Sequence, residues 1–141
     1  MTRERGSIAL EMAIIAPALI ALLLMVIGLG RIALAHSALD AAARDAARQA
    51  SIARDPATAR STARTSARAA LSREGLACEP SVTVDTTGLS APLGRPAAVV
   101  AQVSCEVLLA DLAVPGIPGS KAITSRFTSP IDPYRARGGQ P

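Results

Sequence analysis

The sequence predicts an α+β protein: a long N-terminal helix, transmembrane at first and an extracytoplasmic stem beyond, followed by a small three-stranded antiparallel sheet. Three observations carry this prediction. An uncharged apolar run fills Met12 to Gly30. An Ala-rich stretch without Gly or Pro follows, from Ile32 to Arg54. Beyond Gly75 the apolar period becomes two, the period of a half-buried strand.

Composition narrows the class. At 141 residues there is room for one small domain beside a membrane segment. Half the residues are hydrophobic, yet Phe127 and Tyr134 are the only rings, which excludes a core anchored on aromatics. The net charge of +4 comes almost wholly from Arg, with Lys121 the only lysine. A basic chain with so few rings to stack bases gives no ground for a nucleic-acid partner.

Residues 1–6 read as a short leader carrying Arg3 and Arg5. Met12 to Leu29 would extend about 27 Å as a helix, close to the roughly 30 Å hydrocarbon core of a bilayer. Leu10 and Ile32 close the gap, so 7–31 is read as a transmembrane helix. Pro17 removes one backbone bond and marks a kink position, which membrane helices tolerate. Arg3 and Arg5 favour a cytoplasmic N-terminus, although Arg31 flanks the other end. Two other readings compete: a plain single-pass anchor, and a secretory signal peptide cut at Ala33-Leu34-Ala35. Against the signal peptide stand the length of the run, Glu11 inside the segment, and Arg31 before the proposed cut.

Residues 32–75 continue as an Ala/Arg-rich helical stem. Asp40, Arg44 and Arg48 form a stripe at i,i+4 spacing, opposite a face that is largely Ala. Asp55 can cap and Pro56 can open a second helix, which should run to about Arg73 and stop at Gly75. Its stripe of Arg60, Arg64 and Arg68 reads as a solvated face, with an anionic-lipid contact as the other reading.

Residues 76–134 should form the small β domain. Strands are expected at Ser81 to Thr86, around Val99 to Val107, and at Ala122 to Ser129. A Gly/Pro loop from Gly88 to Pro96 and a turn-rich break from Pro115 to Gly119 separate them. Ile123 and Phe127 share one parity. Residues 135–141 read as a flexible tail.

Cys105 shares the parity of Val103 and Val107, while Cys78 lies in the helix-to-strand connection. A bridge would close a loop of about 27 residues and add roughly 3–4 kcal/mol in the chain-entropy model. It is permitted if this part lies outside the cytoplasm; two unconnected thiols are the alternative.

The acid Glu11 sits at the mouth of the apolar run, where an ionised carboxylate is expensive, roughly 2.5–3.5 kcal/mol at the centre of a span on insertion scales. A cut between Gly6 and Ser7 would give Ser7 a free amine, mostly protonated at neutral pH. That amine lies four residues from Glu11, on the same helix face, and could neutralise the acid of its own chain or of a stacked neighbour. The cut would lower the net charge from +4 to +3, because two Arg and one Glu depart.

Gly6 before the cut, Glu11 at the fifth mature position and Pro17 at the eleventh resemble the type IV prepilin signature. Arg5-Gly6-Ser7-Ile8-Ala9-Leu10-Glu11-Met12-Ala13-Ile14-Ile15-Ala16-Pro17 is most similar to TadE-like proteins, minor pseudopilins of tight-adherence (Flp) pilus systems. Met12 stands where Phe is frequent in that family. The ending Asp132-Pro133-Tyr134-Arg135 resembles that of some members. The sister TadF-like proteins share the signature. The resemblance implies a single-pass protein of the cytoplasmic membrane, C-terminal domain outside, cut by a prepilin peptidase after Gly6. It further implies contacts with membrane lipid, other pilins or pseudopilins, and pilus assembly membrane proteins. The alternative is a single-pass or secreted cell-envelope binding protein without a pilus role.

Catalytic chemistry is not indicated. His36 is the only histidine and lies among Ala and Leu just past the apolar run. No two residues stand at metal-ligand spacing and no phosphate-binding Gly loop occurs, so neither an enzyme nor a cofactor is expected.

Overall fold

The computed structural model describes residues 4–76, 78–108 and 119–135, with side chains from Leu10 onward. Helix α1 (Glu4–Ile52) is a single element of 49 residues, about 74 Å long at 1.5 Å per residue. Pro17 lies inside it without ending it. Side-chain size and environment change together along its length. From Leu10 to Leu34 the large apolar residues stand exposed, apart from the half-buried Ile32; from Ala35 onward Ala38, Leu39, Ala42, Ala43, Ala46, Ala47 and Ala50 are buried. The three- and four-residue spacings place these on one stripe, against which the rest of the protein packs.

Helix α2 (Pro56–Arg73) starts where the sequence predicts. Asp55 is its N-cap and accepts from the Thr58 backbone N–H at 2.8 Å, with Pro56 in the first turn. Its end is a Schellman motif: Leu76 N–H donates to the Leu71 carbonyl at 3.0 Å and Gly75 N–H to that of Ser72 at 3.2 Å. Gly75, at φ +70°, supplies the left-handed backbone that this motif requires. Ala59, Ala63, Ala67, Ala70 and Leu71 form the buried face of α2. Alanine faces alanine along most of this helix pair, which lets the axes approach toward the low end of the roughly 8–10 Å range.

The sheet has the order β1-β2-β3, all antiparallel: β1 (Ser81–Asp85), β2 (Ala97–Leu108) and β3 (Ser120–Ile131). In the centre of β2, Val99, Ala101, Val103, Cys105 and Val107 point inward and are buried. Val82, Ile123 and Ile131 join that layer. α1 lies over β2 and β3, and α2 packs beside α1 and against β1. β2 and β3 run longer than their alternation predicts. Ala97 pairs with Ile131 and Ala98 with Pro130, a proline that an edge strand accepts.

The Gly/Pro loop holds a short 3-10 turn (Thr87–Ser90) that buries Leu89. A Cβ on Gly88 would meet the Ala98 carbonyl oxygen at 2.1 Å, so only glycine lets this turn close onto β2. Thr87 donates to Asp85 through its backbone N–H (3.0 Å) and its hydroxyl (2.7 Å). These two bonds, with a smaller contribution from Arg126, hold the Asp85 carboxyl below its usual range; the Thr58 N–H does the same for Asp55.

Polar contacts fasten the layers. Ser125 Oγ donates to the Asp40 carboxylate, and Ser129 Oγ to Ser51 Oγ at 3.1 Å. Arg73 pairs with Asp45 at 2.9 Å and Arg68 with Glu79, exposed pairs worth about 0–1 kcal/mol each. One detail differs from the sequence reading. Arg44 Nε donates to the Asp40 backbone carbonyl (3.2 Å), because the Asp40 carboxylate is turned to Ser125. The stripe of Arg60, Arg64 and Arg68 is exposed, as the sequence reading has it, and two of its members also reach the sheet side: Arg60 donates to Thr86 Oγ1 at 3.3 Å and Arg68 pairs with Glu79. Leader residues 1–3, the turn-rich break up to Pro118 and tail residues 136–141 lie outside the described residues.

Gly88→Ala should destabilise by about 1–3 kcal/mol, the usual cost of overpacking a fixed site, read as a lower thermal midpoint with unchanged helix content. Asp55 and Asp85 supply a second test. A carboxyl whose folded pKa is lowered stabilises the fold at and above its ordinary value, near 3.8, and loses that contribution as pH falls through the folded value. Asp55→Asn with Asp85→Asn should therefore narrow the difference in thermal midpoint between neutral and strongly acidic solution. An unchanged difference would deny both carboxylates their role.

Candidate functional site

The exposed part of α1 carries the features that the sequence singles out. Gly6 and Ser7 lie within its helical backbone. Glu11 stands one turn above Ser7 on the same face and is exposed. It is the only acid between Glu4 and Asp40. Around and beyond it Leu10, Met12, Ile14, Ile15, Leu19, Ile20 and Leu22 to Leu24 are all exposed. So many large apolar side chains left uncovered on one helix need a second apolar surface. Among the described residues this helix alone is long and apolar enough to cross a membrane.

The second candidate feature lies far from the first. Cys78 and Cys105 form a pair at disulfide distance, with Cα atoms 6.1 Å apart. The pair ties the end of α2 to the central strand. Cys105 is buried at 2% exposure, whereas Cys78 borders a cleft of about 410 Å³ with Arg68, Gly75 and Glu79. Cys105 pairs with Ile123, at about the level of Ala35, which along α1 is on the order of 35 Å from Glu11, so the acid and the cysteine pair do not share a site.

Residues 6–48 match the family model of TadE-like protein. The N-terminal segment is TadE-like. The match associates the chain with Tad pilus-related proteins, and it starts at Gly6 and ends within the buried stripe of α1. It thus covers both halves of the long helix and none of the sheet. No curated protein and no solved structure matches the chain.

Where β3 meets the matched part of α1, the structure brings together residues that sequence reasoning did not connect. Asp40, Arg44, Ser125, Arg126 and Phe127 line a shallow groove of about 350 Å³ where β3 meets α1. Phe127 shares the parity of the buried Ile123, yet is 40% exposed, because β3 is an edge strand and the groove opens there. A signal did exist: Ser125 and Ser129 occupy inward positions of β3, and a polar residue on a buried face implies a polar partner. Among the described residues, no three His, Cys, Asp or Glu side chains gather as a metal site.

Replacing both cysteines by alanine should lower stability by about 2–4 kcal/mol, the usual worth of a bridge of this span. In protein drawn from the cell envelope, mass spectrometry without reduction should find the peptides of Cys78 and Cys105 linked. Alkylation of both thiols before reduction would refute the pairing.

Proposed function

We propose that this chain is a minor pseudopilin of a tight-adherence (Flp) pilus system. In this reading it inserts with its N-terminus in the cytoplasm, is cut after Gly6 by a prepilin peptidase, and joins other pilins or membrane assembly proteins through its hydrophobic helix. The observation that carries the reading is the TadE-like match over residues 6–48, falling on a helix whose apolar run is largely uncovered and whose only acid between Glu4 and Asp40 stands a turn from Ser7. Arg3 and Arg5 support the orientation, and the cysteine pair supports an oxidising compartment for the sheet. The chain acts as the substrate of an enzyme rather than as one.

The chemistry of the site follows from the cost of its acid. Within an apolar environment Glu11 needs a cation, and cleavage creates one at the Ser7 amine. Gly6 leaves the scissile backbone accessible where a bulky side chain would obstruct it. The pair that results joins two subunits if the amine comes from a neighbour. Deleting one partner of such a buried pair costs roughly 3–5 kcal/mol, because the other charge is left without compensation.

N-terminal sequencing of the mature protein tests the reading directly. Ser7 is the expected first residue; a start at His36, or an uncut chain, would favour the secreted or plainly anchored envelope protein instead. Gly6→Leu should leave a full-length membrane precursor. Glu11→Ala should insert and be cut, yet fail to co-purify with partner pilins. Full assembly of Glu11→Ala and Glu11→Gln would remove the pairing role.

A further inference from the structure

The sheet reaches down to the level of the apolar run. Ser125 meets Asp40 and Ser129 meets Ser51, so β3 runs in the same direction as α1. Moving back along β3 therefore descends toward the exposed half of the helix. From Ser125 to Lys121 the strand covers about 13 Å, equal to about nine helical residues, which puts Lys121 level with Arg31. Burial agrees: Ile123 and Ala35 are both buried, and Ile32 packs against the same core. Leu108 pairs with Ser120, one position further down.

This end of the sheet combines an exposed Leu108 (58%) with an exposed Lys121, at the height where the apolar run gives way to Arg31. Glu106, on the face of Leu108, stands about 7 Å further up. An exposed apolar side chain on the outer face of the strand end and an exposed lysine on its inner face, at one height, are the pattern of an end-on membrane-surface contact, with the apolar group at the acyl boundary and the ammonium among headgroups.

We propose that the β2–β3 end of the sheet is a second membrane contact, with Leu108 in the acyl boundary and Lys121 against anionic lipid headgroups. The occupant is the bilayer that α1 spans, since the height of the contact is fixed by the same helix; the proposal rests on that reading of α1. A sheet held in this way cannot tilt freely about its stem while the protein resides in the membrane.

The chain contains no Trp, so a single substitution provides a clean fluorescent reporter. Leu108→Trp, Leu23→Trp and Leu93→Trp, each in the full chain, would be placed in phosphatidylglycerol vesicles brominated near the headgroup or deep in the acyl chain. Leu23 lies within the apolar run, and Leu93 is an exposed residue beyond the other end of the sheet. Deep bromines should quench the Leu23 reporter and shallow bromines the Leu108 reporter, while the Leu93 reporter stays bright. Adding Lys121→Glu should restore emission from the Leu108 reporter, by about fivefold in the docked-to-undocked ratio for each charge changed. A quenched Leu23 reporter beside a Leu108 reporter as bright as that at Leu93 would overturn the proposal alone. An unquenched Leu23 reporter would overturn the membrane-spanning reading and the proposal with it. Quenching at Leu108 that appears only at high protein-to-lipid ratio would assign this face to a second copy and likewise overturn it.

Discussion

One helix carries two different kinds of surface, a largely uncovered apolar run and a buried alanine stripe, and the rest of the structure follows from that division. An α-helix meets its own hydrogen-bond requirement along its whole length, which is what allows a segment to sit in hydrocarbon and continue into water without a break. The side chains change instead. Up to Leu34 they are mostly large and exposed; from Ala35 the inward stripe is almost entirely alanine. Large residues there would hold α2 and the sheet away from the helix. Alanine brings them close and carries no side-chain entropy cost on ordering.

That choice has a consequence for stability. A buried alanine removes little apolar area from water, so each contact contributes less than a leucine would. The molecule offsets this by fastening its layers at specific points. Ser125 and Ser129 bond to Asp40 and Ser51, which lie eleven residues apart and so, after about three helical turns, on one face of α1. The cysteine pair joins the end of α2 to β2. The Schellman turn at Gly75 and the close approach at Gly88 fix the two connections around β1. Geometry, more than the volume of the core, holds this sheet on its stem.

The architecture was largely legible, because it depends on local signals that survive in one dimension. The apolar run, Asp55-Pro56, Gly75 and the alternation in β2 each carry their own physical reason, and the elements formed where these residues stand. What escaped was tertiary. Asp40 read as the partner of Arg44, the nearest cation at helical spacing; only the fold brings Ser125 beside its carboxylate. Phe127 read only as sharing the parity of Ile123, and parity does not reveal that the strand lies at an open edge. Arg60 and Arg68 are exposed as read, but no sequence rule places Thr86 and Glu79 within their reach. At the candidate site, Gly6, Ser7 and Glu11 were legible as a motif, since their spacing is helical and local.

The continuity of α1 also decides how its two ends communicate. Between Ile32 and Ile52 the helix holds no Gly or Pro and is gripped by α2 and the sheet, so this part moves as one body. The residues that ease bending, Pro17, Gly28 and Gly30, all fall in the exposed apolar half. Any adjustment needed to seat Glu11 against a partner can then be absorbed between Glu11 and Arg31, without strain reaching the alanine contacts. Had those breakers stood beyond Ala35, the same flexing would have opened a core that has little apolar area to lose. Helix-breaking residues are thus confined to the half of α1 that lies outside the buried alanine stripe, and the half that organises the sheet holds none.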